Sequence, residues 1–243
     1  MNARTPRGLL TGLLRAVRTY PRRSPLTFGY VLLLLLGHVW VENLLTPDRA
    51  DALRDHISTN LDNLHDHPVT ALFGSALLFD GTLTEILTTG FGGTLITLGL
   101  GVCCCLAWTE RRFGGPRAAA VFLGGHIAAT LVTAAVILLA LRQGWYPESV
   151  RQASDYGISY GAQTVLALAT LAVPRWARLP WAAFVVAWPL SGDGEWPGPL
   201  PDFTTVGHLL AAALGFALAA GVALTAARRR RVSAAAGGRP RWR

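Results

Sequence analysis

Two residue types that cooperate in acyl transfer, a serine and a histidine, stand 49 positions apart in this chain, the histidine next to a glycine and the serine two positions from one on either side. Ser159 lies in the run DYGISYGAQ (155–163), and His208 follows Gly207. A serine becomes a nucleophile when a base stands within hydrogen-bond reach, and histidine is the usual base. The string Gly157-Ile158-Ser159-Tyr160-Gly161 fits two patterns at once. It matches G-x-S-x-G, the nucleophile elbow of soluble hydrolases, and Gly-x-x-x-Gly, which lets membrane helices touch. An elbow needs a strand, a sharp turn and a helix in a soluble α/β sheet. Here the flanks are a loop and an apolar run, so the elbow is excluded. The two glycines read as helix-packing residues, with Ser159 facing another way.

The elements that must position this pair are membrane helices. Of 243 residues, 51% are hydrophobic and only 15% charged, with mean hydropathy +0.37. Several apolar runs of about 20 residues are long enough to cross ~30 Å of hydrocarbon. The fold class expected is all-α, a polytopic membrane protein with six transmembrane helices. The spans fall at about 25–46, 84–108, 117–141, 156–173, 178–191 and 203–226. Three regions follow: a basic N-terminal segment (1–24), a six-helix membrane domain (25–226) and an Arg-rich tail (227–243). The apolar piece ALFGSALLF (71–79) is too short to span and reads as a surface-lying or re-entrant segment. The fifth span, bounded by Pro180 and Pro189, is short enough to need other protein around it.

Charge sets the orientation. All 22 basic residues are Arg, and the net charge is +8. With the N-terminus inside, segments 1–24, 109–117, 174–178 and the tail from 227 hold 18 arginines and one acid, Glu110. The other segments hold four arginines and 13 acids. This asymmetry is what the positive-inside rule predicts for a multi-pass plasma-membrane protein with both termini cytoplasmic. The ARRRRV tail then reads as an orientation signal that touches anionic headgroups, and nucleic acid is not an expected partner. Cys103, Cys104 and Cys105 are consecutive, so on a helix they point about 100° apart and cannot grip one metal. His38, His126 and His208 fall at different depths. No cofactor and no metal is expected.

Ionisable groups inside spans are costly and single themselves out. Glu42, Glu85 and Asp155 lie near the external ends, as boundary residues do. His126 and His38 read as histidines hydrogen-bonded between packed helices. His208 differs, because it lies ~9 Å in from the external end of the sixth span while Ser159 lies ~6 Å in from that of the fourth. The depth match makes a Ser159–His208 pair geometrically accessible. Thr204, His208, Ala211, Ala212, Gly215 and Ala219 form a small-residue stripe suited to tight packing. Asp155 is expected one helical turn above Ser159, on the serine's side.

Six spans, Gly-x-Ser at the outer end of the fourth and Gly-His in the sixth make the chain resemble the rhomboid family over about residues 25–226. Glu110-Arg111-Arg112-Phe113-Gly114 is similar to that family's Glu-x-Arg-x-Gly turn, and a long external loop joins the first two spans. The resemblance implies an intramembrane serine protease, with Ser159 as nucleophile and His208 as base. Its substrate would be the transmembrane segment of a membrane-anchored protein. Gly157, Thr89, Thr94 and Asp155 are the auxiliary candidates, with Thr84, Thr88 and the Ser159 amide as further donors. The sequence departs from the family at Tyr160, where a second glycine is usual, and at Gln163, where an aromatic ring is usual. No His-x-x-x-Asn occurs in the second span. These departures carry the alternative reading: a catalytically inactive rhomboid-like protein that binds transmembrane helices of client proteins.

Overall fold

The computed structural model describes residues 6–79, 93–191 and 198–237, and every described element is helical. A basic helix, α1 (Pro6–Arg23), leads into α2 (Pro25–Asn43). Proline at the first helical position suits the start of α2, because its ring presets φ and its missing N–H is not needed there. The next two N–H groups are claimed from afar. Glu110 accepts Leu26 N–H at 2.9 Å through Oε1, and through Oε2 it accepts Thr27 N–H at 2.8 Å and the Thr27 hydroxyl at 2.7 Å. A buried carboxylate thus caps α2 at the end of the helix macrodipole that favours negative charge. Tyr20 Oη donates to the Cys103 carbonyl at 2.8 Å and holds α1 against the same neighbour.

Between the first two expected spans the chain forms three short helices, α3 (Pro47–Ile57), α4 (Leu61–Asp66) and α5 (Pro68–Gly74), the last extended by a 3₁₀ turn at Ser75–Leu77. Ala71, Ser75, Ala76 and Phe79 are buried, so the apolar piece lodges in the bundle with Val69 and Phe73 on its outer side. Next comes α6 (Leu95–Leu106), wound as a π-helix, and it runs straight into α7 (Ala107–Phe113). Gly114 turns the chain with φ 91°, a backbone state that only glycine adopts freely, and α8 (Gly115–Arg142) follows.

The centre of the bundle is α9 (Ser159–Leu168), buried from Tyr160 to Leu168 and closed by a 3₁₀ turn at Ala169–Leu171. Glycines on its neighbours let it sit this deep. A methyl at Gly101 of α6 would meet the Ala162 side chain at 2.7 Å, and one at Gly125 of α8 would meet Thr164 at 2.4 Å. Then come α10 (Arg178–Leu190) and α11 (Phe203–Gly237). Gln163 Nε2 donates to the Val185 carbonyl at 2.6 Å and ties α9 to α10. The stripe Ala211, Ala212, Gly215 and Ala219 is buried, and at Gly215 a Cβ would stand 2.2 Å from the Thr164 carbonyl of α9.

Three described helices are long and apolar enough to cross a membrane alone: Pro25–Asn43, Gly115–Arg142 and Phe203–Ser233. The expected span 84–108 is described only from residue 93, and Glu85 lies outside the described residues. The segments expected as fourth and fifth spans form helices of 10 and 13 residues. At 1.5 Å per residue these fall well short of ~30 Å. Burial of α9 among its neighbours is what lets a short polar-ended helix exist there.

Candidate active site

Ser159 is the first residue of α9, and the turn before it is built by Gly157 at φ 125°. Gly157 therefore stands outside the helix and does not share a helical face with Gly161, contrary to the packing pair expected from the sequence. The physical reason is local. A positive φ at Gly157 swings the chain so that its N–H donates to the Ser75 carbonyl at 3.0 Å, which docks the α9 entrance on the re-entrant segment. Gly161 does pack closely, since a Cβ there would meet the Phe122 ring of α8 at 2.7 Å.

Asp155 likewise precedes the helix instead of sitting one turn above Ser159. Its backbone carbonyl accepts Thr59 N–H at 2.7 Å and its N–H donates to Ser58 Oγ at 2.8 Å. Its carboxylate accepts the Thr59 hydroxyl at 3.2 Å and the Tyr160 hydroxyl at 3.0 Å. Asp155 is thus a clasp between the external loop and Tyr160.

Tyr160 is buried and stands edge-on to His208, with ring centroids 5.0 Å apart at 78°. The aromatic ring on the histidine, missing from position 163, is supplied by the residue next to the serine. Gly207 makes room for it, because a Cβ there would fall 2.3 Å from the Tyr160 ring and hydroxyl. On its other side the ring lies 6.2 Å from His126. His126 is buried and its Nε2 shares a 3.0 Å hydrogen bond with Ser75 Oγ, which joins α8 to the re-entrant segment. No sequence pattern marks Ser75 as that partner, because the two lie 51 residues apart.

His208 is held from within its own helix. Its Nδ1 is 2.7 Å from the Thr204 carbonyl, which can only accept, so Nδ1 carries the proton and Nε2 is the basic nitrogen. Thr204 is fixed in turn by the cap of α11. Asp202 Oδ1 accepts the N–H groups of Thr204 at 3.0 Å and Thr205 at 3.1 Å, and its carboxylate takes both threonine hydroxyls. Burial works to raise the Asp202 pKa, but these bonds outweigh it and hold the carboxyl below its ordinary value.

Ser159 and His208 line one cavity of about 470 Å³, together with Gly93, Thr97, Asp155, Trp188 and Thr204 among others. Both residues line the same cavity, and no hydrogen bond joins the serine hydroxyl to the imidazole. Thr94 is buried but does not line the cavity, which Thr97 does one helical step further on. The Thr97 hydroxyl donates to the Gly93 carbonyl at 2.7 Å. Thr84, Thr88 and Thr89 lie outside the described residues. The first helical bond of α9 runs from Ala162 N–H to the Ile158 carbonyl, leaving the amides of Ser159, Tyr160 and Gly161 outside its ladder. Such a helix start offers positive partial charge to a developing anion. Among the described residues no cluster of three metal-ligating side chains occurs.

The sequence placed Thr204 only in a packing stripe, and Trp188 and Thr97 carried no signal there. Thr204 was within reach, since a carbonyl four residues before a helical histidine is the natural acceptor for its ring. A family model described as rhomboid-like protein matches residues 19–230. No curated protein and no solved structure matches the chain.

Proposed function

The chain belongs to the rhomboid-like protein family, and from that premise we propose that the Ser159–His208 cavity is the active site of an intramembrane serine endopeptidase. The observation that carries this reading is a shared cavity in which the only histidine has its tautomer fixed for base catalysis by the Thr204 carbonyl. The pair closes when a substrate segment fills the cavity, as hydrogen bonds that are long in a free enzyme tighten in its complex. Ser159 Oγ then attacks the scissile carbonyl while His208 Nε2 takes the hydroxyl proton. The oxyanion is met by the amides at the start of α9 that lie outside its helical ladder. His208 returns its proton to the leaving amine, and an acyl group remains on Ser159. Water attacks that ester with His208 again as base, which frees the second product and the serine.

The substrate is the transmembrane segment of a membrane-anchored protein in the plasma membrane, entering from the acid-rich, external side. Arginine asymmetry supports both termini being cytoplasmic. A fluorophosphonate probe tests the reading on the purified full chain. The expected result is labelling of the wild type and none of Ser159→Ala. An unlabelled wild type that also cleaves no membrane-anchored substrate overturns it, and leaves the client-binding reading in its place.

A further inference from the structure

A second cavity, of about 660 Å³, opens at the opposite end of the bundle, where α7 and the start of α8 face the last turns of α11. Its walls are unlike those of the Ser159 cavity. Arg112, Arg117 and Arg229 line one side, and Leu218, Gly221 and Val222 of α11 line the other. The Arg112 guanidinium lies over the Phe113 ring at 5.3 Å, and Arg117 Nη1 donates to the Phe113 carbonyl at 3.2 Å. Both side chains are thereby held at the cavity.

Among the described residues none of the three has a carboxylate partner. Among the described residues the only arginines in ion pairs are Arg54 and Arg151, both in the external loops. The one acid near the second cavity in sequence, Glu110, is buried and spends both oxygens on the start of α2. Three guanidiniums therefore converge on a cavity that no carboxylate among the described residues neutralises. Arginine matches phosphate oxygens with paired N–H donors. The apolar wall continues along α11, where Leu218 is 43% exposed and Leu224 66% exposed, as a surface for acyl chains. From Thr204 to Arg229 is 25 residues, or ~37 Å of helix, so this cavity lies at the other membrane interface from the Ser159 site. Its volume is within the ~300–1,000 Å³ common for ligand pockets.

We propose that this cavity is a binding site for an anionic phospholipid, whose phosphate is held by Arg112, Arg117 and Arg229 and whose acyl chains lie along α11. The site is independent of the proteolytic reading.

Gly221 supplies a clean test, because nothing stands within 4 Å of where its Cβ would be. Gly221→Leu fills the apolar wall, keeps every arginine and replaces a poor helix former with a good one. The purified full chain is placed in phosphatidylcholine nanodiscs containing phosphatidylglycerol, and retained lipid is counted by native mass spectrometry. The wild type is expected to retain phosphatidylglycerol over phosphatidylcholine. Gly221→Leu and the triple variant R112Q/R117Q/R229Q should each lower that retention by roughly tenfold or more, given the strength of basic side chains at anionic surfaces. R228Q/R230Q/R231Q removes equal charge from neighbouring positions outside the cavity lining and should leave it unchanged. Equal loss in both triple variants, or full retention in Gly221→Leu, overturns the site in favour of diffuse surface charge. Displacement of the lipid by millimolar glycerol 3-phosphate would overturn it in favour of a soluble anion.

Discussion

The two ends of the bundle satisfy their polar groups by opposite means. At the end that carries Ser159, polar residues answer one another: Thr59 and Tyr160 meet Asp155, Thr204 and Thr205 meet Asp202, Arg54 meets Glu42 and Asp51, and Gln152 meets Asp62. At the other end the Glu110 carboxylate is spent on one helix start, and among the described residues no arginine there is in an ion pair. The lesson is that a membrane protein can close its polar network at one interface and leave it open at the other. The closed end holds side chains in place, as the proposed proteolysis requires. The open end leaves charge for the headgroups to neutralise.

The largest expected effect breaks the closed end at its base. His208→Ala should slow fluorophosphonate labelling by ~10²–10⁴-fold, the usual worth of a general base, in a labelling time course. Next is the Glu110 carboxylate at the open end. Glu110→Ala strands the Leu26 and Thr27 amides and the Thr27 hydroxyl, and should cost about 3 kcal/mol in detergent unfolding. Glu110→Gln keeps one acceptor oxygen and should recover part of it. No single acid at the closed end should cost as much, because Asp155 and Asp202 are only part-buried and water can replace their bonds.

Tyr160→Phe removes only the hydroxyl bond to Asp155, leaving the ring against His208. It should cost about 1 kcal/mol and leave labelling within a few-fold of wild type. Loss of labelling on that change would mean that the clasp to the loop, and not the ring, positions the histidine. The smallest effect is a pH dependence. The Asp202 carboxyl is held below its ordinary pKa in the folded chain, so the folded state favours its ionised form. Its stabilisation is present above the unfolded value near ~3.9 and is lost as pH falls through the folded value. Asp202→Asn should therefore melt below the wild type at pH 6, with a gap of about 1 kcal/mol that narrows below about pH 4.

Much of this architecture was legible in the sequence. Apolar run length announced membrane helices at about 25–46, 117–141 and 203–226, where the structure has Pro25–Asn43, Gly115–Arg142 and Phe203–Ser233, because each of these helices must carry its own hydrophobic length. The small-residue stripe on α11 announced close packing, since only small side chains permit it. The entrance to α9 was not legible. A helical period was read through Asp155 and Gly157, whereas the Ser75 carbonyl and the Thr59 hydroxyl, far away in sequence, pull those residues out of any helix. Nor did the string around Glu110 reveal which amides its carboxylate would cap.

By itself, then, the sequence determined the solvent of this protein and carried the arginine asymmetry on which the proposed orientation rests. Transfer of apolar side chains to hydrocarbon and the sorting of arginines depend on composition and order along the chain, which neighbours in space do not alter. Helical rise alone did not place Ser159, which is the first residue of α9 and not several residues into a span; the folded chain brings it to the same cavity as His208. The tertiary structure alone decided what touches them. Tyr160 reaches His208 only because Gly207 has no side chain in the way, and Asp155 becomes a clasp only because the loop folds back to it. Those contacts join residues many turns and many positions apart, and no local rule of the chain specifies them.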